Sequence, residues 1–421
     1  MSQLSVLPAP GPDRRNALVA FSLFALFMAS YYVFKPVRGS LYIHYLGAEN
    51  LPQAYLASAG LALIVMAIYN RAFVRVGSMR LLVGTVFGLA ACAMIFWLAH
   101  VLALVDPVLL SVAFFMWVGV YGALVATLFF SLANDVFDAR TGRQVYGFIG
   151  IGGIVGAFIG SSATRFVIEH GWLSTENLLP IGAAIVLIAL KPMRLLKSAT
   201  KPAKTSEEAH SKVSRRDGWR WIFGDSYVGS MAALVFLMTF VGTLLDLQYN
   251  QVVGQSLIGK GTKTAYFGEL YAMVNGLAVL IQILVTGPLH RRYGPLPGLY
   301  PLPIIGLAAS VVLLIVPNLI AVTIVWSIGM ALLYSLNQAS KEQLYIPTPE
   351  GVKYGAKGYI DVFFFRFGDG SASLLAMAVR GPLGKHPALL TVFCLLLALV
   401  WFALVASLGR GYKKRLLALE E

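Results

Sequence analysis

Tyr31, Lys35, Arg38 and Tyr42 fall at i, i+4, i+7 and i+11, so a helix through them carries all four in one stripe. Alternating aromatic and cationic side chains suit a ligand with a flat ring at one end and phosphate or carboxylate at the other. The stripe lies at the end of an apolar run. An ionisable side chain costs several kcal/mol in hydrocarbon unless it is paired or faces water, which makes each of these cations a functional candidate. Pro36 removes one backbone hydrogen bond beside Lys35. A plainer reading competes: Lys35 lies about 30 Å from Asn16 along a straight helix, where its long stem can snorkel to the interface.

Other charges and amides sit in apolar surroundings. Asp361, Arg366 and Asp369 share one segment, with Arg366 about 14 Å along it from Lys357. Arg366 and Asp369 are i, i+3 neighbours, so an internal pair that neutralises itself is the alternative to ligand binding. Glu269, Asn275 and Gln282 occupy another segment, and Asp246, Gln248 and Asn250 close a third. Asp246 and Arg165 read as boundary residues, Arg165 facing Glu169 at i+4, whereas Glu269 is deeper and is the preferred acidic candidate. Asn134 and Asp135 precede Arg140 and Arg143 in a cluster better suited to a cytoplasmic gate or helix cap than to a ligand site.

Several motifs point away from chemistry. Gly150-Ile151-Gly152-Gly153-Ile154-Val155-Gly156 lacks both the preceding strand and the spacing of a dinucleotide loop. Gly152, Gly156 and Gly160 instead recur every four residues, a face along which two membrane helices approach closely. The six histidines are scattered without metal-ligand spacing, and no hydrolase or metalloprotease motif occurs. The chain therefore reads as a non-enzyme with no metal and no cofactor. Cys92 and Cys394 both lie in apolar segments and read as free buried thiols.

The elements that must position these residues are membrane helices. Twelve apolar segments long enough to cross a bilayer run at roughly 16–36, 53–74, 81–101, 107–133, 143–167, 178–193, 226–247, 264–289, 299–316, 319–339, 357–380 and 388–408. Hydrophobic residues make up 58% of the chain and charged residues only 12%, a balance no soluble fold tolerates. Lys and Arg concentrate in every second gap: Arg14 and Arg15; Arg71, Arg75 and Arg80; Arg140 and Arg143; Lys191 to Arg220; Arg291 and Arg292; Lys341, Lys353 and Lys357; and Arg410 to Arg415. The opposite gaps hold Lys260, Lys263 and Lys385. Positive charge collects on the cytoplasmic side, so both termini are expected there. The net charge of +14 is explained by inner loops beside an anionic leaflet, which removes the case for nucleic acid. The N-terminus shows neither a signal peptide nor a transit peptide, and a bacterial inner (plasma) membrane is the expected home.

The chain divides once. A cytoplasmic N-terminus (1–15) precedes a first six-helix half (16–194); a basic linker (195–223) leads to a second half (224–408) and a basic cytoplasmic tail (409–421). Gly218–Phe223, with Trp219 and Trp221, reads as an interfacial anchor. The halves echo each other weakly: Arg75-Val76-Gly77 follows span 2 and Arg292-Tyr293-Gly294 follows span 8. This all-α plan, twelve transmembrane helices in two six-helix halves, is that of major-facilitator transporters, in which substrate binds between the halves near mid-membrane.

A narrower resemblance follows from the motifs. Tyr31-Tyr32-Val33-Phe34-Lys35-Pro36-Val37-Arg38 resembles the first span of the nucleotide-transporter family, the ATP/ADP translocases of plastids and intracellular bacteria with their broader bacterial relatives. Lys341-Glu342-Gln343-Leu344-Tyr345-Ile346-Pro347 and then Lys357-Gly358-Tyr359-Ile360-Asp361-Val362 through Arg366-Phe367-Gly368 are similar to that family's K-E-x-x-Y-I-P and K-G-K-A-A-x-D-V-x-x-x-R-x-G signature. Ser131–Asp135 with Arg143-Gln144-Val145-Tyr146-Gly147 resembles a further stretch of the bacterial group. The resemblance implies a major-facilitator-like fold, ATP-for-ADP exchange in the best-known members, and roles in transport for Lys35, Lys357 and Glu269. Asp369 stands where the family's R-x-G-K has its lysine, and the chain is shorter than the ATP/ADP exchangers.

The expectation is thus a secondary transporter with alternating access for an anionic organic solute, most simply a nucleotide. Its candidate binding residues are Tyr31, Lys35, Arg38, Tyr42, Glu269, Asn275, Lys357, Asp361, Arg366 and Asp369, with Asn134, Asp135, Gly152, Gly156 and Gly160 for gating or packing. Glu269 and Asp361 would organise the cations or carry a coupling proton. Two alternatives stay open: a proton-coupled transporter of the same fold for a siderophore, peptide or drug, and a membrane scaffold or sensor that moves nothing. No nucleotide-hydrolysing motif is present, which argues against a pump with its own ATPase.

The charge pattern carries a direct test of topology. Cysteines placed at Lys204 and Lys353 should resist a membrane-impermeant thiol reagent in intact cells, while one at Lys260 reacts. Labelling of all three from outside contradicts the twelve-span reading.

Overall fold

The computed structural model describes residues 12–76, 78–137, 139–196, 215–349, 352–379 and 387–417. Among them, twelve helices are long and apolar enough to cross a membrane: α1 Asp13–Leu46, α2 Ala48–Tyr69, α3 Arg80–Val101, α4 Pro107–Ala133, α5 Val145–Glu169, α6 Leu178–Leu195, α7 Ser226–Ser256, α8 Lys260–Tyr293, α9 Leu296–Ile315, α10 Leu319–Gln343, α11 Tyr359–Val379 and α12 Ala388–Leu417. The described residues contain no strand. Cys92 and Cys394 are free. Most of the expected basic linker lies outside the described residues.

Helix α1 departs most from its expected bounds. It continues through Pro36 to Leu46, about 50 Å in all, because proline costs the backbone a single ladder bond that a long packed helix can forgo. Lys35, Arg38 and Tyr42 therefore lie inside a continuous helix and not at its frayed end. The expected interfacial anchor is also modified. Within the helix Arg215–Gly224, Trp219 packs on Tyr359 and Phe363 with ring centroids 5.1 and 5.2 Å apart, whereas Phe223 stays exposed.

The chain forms two compact units. The first comprises the described residues of Met1–Asn50, Ala57–Ala203 and Leu257–Gly276; the second comprises those of Leu51–Leu56, Lys204–Ser256 and Leu277–Glu421. The opening turns of α8 thus cluster with α1–α6, and the first residues of α2 with α7–α12.

In the first unit α1 is the central post, with Leu23, Phe27, Phe34 and Val37 buried. Its contact with α5 is made backbone to backbone. A Cβ added to Gly152 would lie 2.6 Å from the Phe21 carbonyl oxygen, one at Gly156 2.0 Å from that of Ala25, and one at Gly160 2.3 Å from that of Ala29. The repeat of four on α5 meets a repeat of four on α1, which is small-residue packing between membrane helices. Elsewhere around α1, Ser30 donates to the Gly182 carbonyl at 2.7 Å, and its hydroxyl pairs with the fully buried Tyr121 hydroxyl, also at 2.7 Å.

In the second unit α7 is the corresponding post, with Tyr227, Val228, Met231 and Val235 buried. Asp225 caps its start. The carboxylate accepts from the Tyr227 and Val228 amides at 2.9 and 3.2 Å and from Arg415 Nη2 at 2.7 and 2.5 Å. Burial alone pushes this carboxyl up, but Arg415 and the two amides outweigh it and hold it below its ordinary value. Gly368 brings α11 against α7, where a Cβ would lie 2.9 Å from the Phe236 carbonyl oxygen.

Two ion pairs then fasten α11 and the residues just before it to α10. Lys341 Nζ meets Asp361 Oδ1 at 3.0 Å, and Lys357 Nζ meets Glu342 Oε2 at 2.5 Å. Lys357 also lies 5.2 Å from the centre of the Tyr345 ring, and Tyr227 donates to the Leu344 carbonyl at 2.8 Å. Lys341 is 8% exposed and must keep its partner. The π-helical turn Tyr359–Phe364 that opens α11 sits on this clasp, so the clasp fixes where Arg366 and Asp369 emerge.

Both packing devices are testable by thermal unfolding of purified protein in detergent. Gly156→Ala should cost about 1–3 kcal/mol by overpacking, while Gly150→Ala on the same helix, with nothing within 4 Å of its Cβ, should leave the melting temperature unchanged. Asp361→Asn should cost on the order of 1–3 kcal/mol by leaving the Lys341 charge uncompensated. A second change, Lys341→Met, should recover part of that loss; strictly additive losses would mean the two side chains do not interact.

Candidate functional site

Among the described residues, Lys35 is one of two lysines buried in the first unit, the other being Lys263 near the start of α8. Lys35 is 9% exposed, and its ammonium lies 4.2 Å from the Tyr271 ring centre, 4.9 Å from Tyr32 and 6.0 Å from Tyr31. Aromatic faces stabilise an ammonium without neutralising it. α1 runs eleven residues past the amine, and Tyr271 of α8 covers it. Two of these three rings, Tyr32 and Tyr271, were not legible as site residues: Tyr32 lies off the stripe, and Tyr271 comes from a helix remote in sequence.

The rest of the stripe divides. Tyr31 stacks nearly parallel to Tyr121 at 6.2 Å and lies against Gly122, where a Cβ would come 2.8 Å from its ring. Arg38 places its guanidinium 4.4 Å from the Phe115 ring centre, and its buried Nε meets no acceptor among the described residues. Tyr42 is buried, donates to the Asn50 carbonyl at 2.8 Å and packs on Phe115. It belongs to the packing of α1 on α4.

The acidic and amide candidates of α8 are placed differently from one another. Glu269 is exposed and pairs with Arg165 Nη1 at 3.0 Å; Arg165 also holds Glu169 at 2.9 Å, the i+4 contact expected of it. Asn275 is buried and donates to the Tyr271 carbonyl at 2.7 Å, so it steadies the backbone that carries the Tyr271 ring. Asn134 and Asp135 lie near the end of α4, and their side chains fall outside the described residues.

In the second unit Thr243, Asp246 and Asn250 form a polar stripe on α7 at i, i+3 and i+7. Asp246, read from sequence as a boundary residue, is instead a hub. It accepts from the Tyr55 hydroxyl at 2.7 Å, from Trp326 Nε1 at 2.9 Å and from Asn250 Nδ2 at 3.1 Å. Trp326 stacks on Tyr249 at 4.8 Å, which fixes the direction of its N–H. Nothing local in the sequence announces a carboxylate whose donors come from α2 and α10. On α11, Asp369 takes its short bond from Thr243 Oγ1 at 2.5 Å, and Arg366 Nη1 stands 3.9 Å from its other oxygen. The i, i+3 pair is therefore stretched, and the Arg366 guanidinium keeps most of its donors for other use. Lys357 and Asp361 are engaged in the α10–α11 clasp. Among the described residues no group of three or more His, Cys, Asp or Glu is placed to hold a metal ion.

This architecture has known counterparts. The family model of the Major Facilitator Superfamily matches residues 119–356, more than half of the chain. ADP,ATP carrier protein 1 of Chlamydia pneumoniae is 22% identical over 342 residues, which cover 71% of this chain and 66% of the relative. The carrier of the same name in Chlamydia trachomatis is 21% identical over 331 residues, 68% of this chain and 62% of the relative. The chain thus spans about two thirds of the length of these curated relatives or less. The crystal structure of the nucleoside transporter NupG superposes with a TM-score of 0.61 at 14% identity, covering 95% of this chain and 99% of that one. The POT family transporter PepTSo gives a TM-score of 0.63 at 12% identity, covering 95% and 98%. At such identities the structural likeness speaks for the fold alone. Twelve apolar helices, the matched family model and transporter relatives lead to one conclusion: this chain is an integral membrane transporter and belongs to the Major Facilitator Superfamily.

Proposed function

We propose that the chain moves an anionic organic solute by alternating access, a nucleotide in the first place, with ATP/ADP-type exchange as the working mode. The observation that carries the reading is Lys35: an amine held inside the first unit by tyrosine rings, one helical turn from an arginine whose Nε meets no acceptor among the described residues. An ionisable side chain buried within a membrane helix is a functional candidate by default, and lysine and arginine are the side chains that hold phosphate. Similarity to proteins named ADP,ATP carriers supports a nucleotide over other anions. Lys35 and Arg38 would hold phosphate, and Tyr31 or Tyr32 would meet the base. Arg366, whose pairing with Asp369 is loose, would supply a fork-shaped donor set for a second phosphate or carboxylate group.

On this reading Glu269, Asp361 and Lys357 act on the protein and not on the solute. Glu269 pairs with Arg165, and the other two lie in the α10–α11 clasp. Bacterial inner-membrane residence with both termini cytoplasmic is part of the same proposal.

Uptake and binding with reconstituted protein test it. Labelled ATP should enter proteoliposomes loaded with ADP and not empty ones. Lys35→Ala and Arg366→Ala should each weaken substrate binding at least tenfold, since charge-assisted contacts in a partly desolvated site are worth about 1.5–3 kcal/mol. Arg366→Lys should recover only part of the loss, because a point charge lacks the bidentate fork. Full exchange with both residues changed, or equal uptake into empty vesicles, contradicts the assignment.

A further inference from the structure

The first turns of α8 are fastened to α1, α5 and the α5–α6 loop by contacts that are mostly small, polar and separable. Lys260 Nζ lies 2.5 Å from Glu176 Oε1. The Thr264 hydroxyl pairs with the hydroxyls of Ser40 at 2.5 Å and Thr175 at 3.0 Å. Phe267 rests on Gly39, where a Cβ would come 3.3 Å from its ring, and Gly268 lies against the α5 backbone, where a Cβ would sit 2.9 Å from the Arg165 nitrogen. Tyr271 follows on the same face, at i+7 from Thr264, with its ring on the Lys35 ammonium. Gly268 apart, the fastening is made by side chains, whereas the α1–α5 seam interlocks carbonyls with glycines. It is also incompletely satisfied: Glu176 is 3% exposed, and its Oε2 meets no partner among the described residues. An unmade bond to a buried carboxylate oxygen weakens the arrangement that buries it.

We infer that the α8 segment Lys260–Gly276 is a releasable cover over Lys35, and that Tyr271 is the residue holding the ammonium out of an anion's reach until the segment leaves. The inference rests on the reading of Lys35 as the anion-binding group. In the covered arrangement Lys35 is 9% exposed and its ammonium is supplied with three aromatic faces. By sequence α8 belongs to the second six-helix half, whereas its fastening partners belong to the first. The segment clusters with the first unit in this arrangement, and in a carrier whose halves rock about one another it leaves that unit when α8 moves as one with the helices that follow it. Release removes one of three rings from Lys35 and opens the side from which an anion can arrive. The anion then binds the uncovered arrangement more tightly than the covered one, the differential affinity by which a ligand shifts a conformational equilibrium. Tyr271 sets that balance as a positioning residue and does not touch the solute.

The test reads Lys35 directly and needs no nucleotide. Full-length protein in lipid nanodiscs is pulsed with acetic anhydride, and acetylation of Lys35 is followed by peptide mass spectrometry. Tyr271→Ala should raise the labelling rate roughly fivefold or more, whereas Tyr271→Phe, which keeps the ring, should match the parent. Thr264→Val, which removes both hydroxyl contacts at nearly constant volume, should also raise it with Tyr271 in place, and it carries the test if Tyr271→Ala does not fold. ATP should bind Tyr271→Ala more tightly while exchange slows. Unchanged Lys35 labelling in well-folded Thr264→Val and Tyr271→Ala overturns the cover. Weaker ATP binding in Tyr271→Ala also overturns it, because the ring would then be a solute contact. Faster labelling with no ATP binding in any form keeps the cover and rejects the nucleotide.

Discussion

The close approach of α1 and α5 is the constraint on which the first unit depends. Gly152, Gly156 and Gly160 put the α5 backbone in contact with the carbonyls of Phe21, Ala25 and Ala29, and no side chain larger than hydrogen fits between them. In hydrocarbon, helix association lacks the drive that water gives it, so dispersion across a seamless contact must supply the cohesion. With α5 held at that distance, its far side, around Ser161 and Arg165, receives α8, where Gly268 permits a second approach between backbones. Two faces of α5 therefore serve two contacts, the glycine repeat the seam with α1 and the opposite side the seat of the α8 segment.

The second unit is organised by charge more than by small residues. The K-E-x-x-Y-I-P and K-G-x-x-D-V stretches meet as one object: Lys341 with Asp361, Lys357 with Glu342, and Tyr345 beneath Lys357. A signature can therefore be specific because it encodes a clasp between two helices, each cation requiring its own carboxylate at a fixed offset. Placing Lys357 and Asp361 among ligand residues follows naturally from their types, since an ion pair and half of a ligand site look alike in one dimension. Burial and distance distinguish them, and neither is written in a single sequence.

What the sequence made legible follows the same logic. Twelve spans, the glycine face and the Arg165–Glu169 contact could be read because each rests on a local pattern: an apolar length, a repeat of four, an i+4 offset. Lys35 stood out because a cation in an apolar run is costly wherever it points. Its cage was invisible, because Tyr271 lies 236 positions away. Asp246 was undervalued for a similar reason: its donors Tyr55 and Trp326 come from two other helices, and its position near the expected end of a span suggested an interface. The end of α1 was missed because Pro36 is a sound stop signal in isolation, and only the packing of Val37, Leu41 and Tyr42 shows the helix continuing.

The residue that departs most from the resembling family, Asp369, bears on the solute's charge. Where those relatives carry a lysine, this chain has a carboxylate bonded to Thr243 and only loosely approached by Arg366. Exchanging a cation for an anion lowers the local formal charge by two, so this part of α11 is far less welcoming to a polyphosphate tail than a lysine would be. Arg366 is not cancelled, since a 3.9 Å separation leaves its donors mostly unassigned. On the proposed reading the larger share of the attraction then falls to α1, where Lys35 lies among tyrosine rings and the buried Nε of Arg38 meets no acceptor among the described residues.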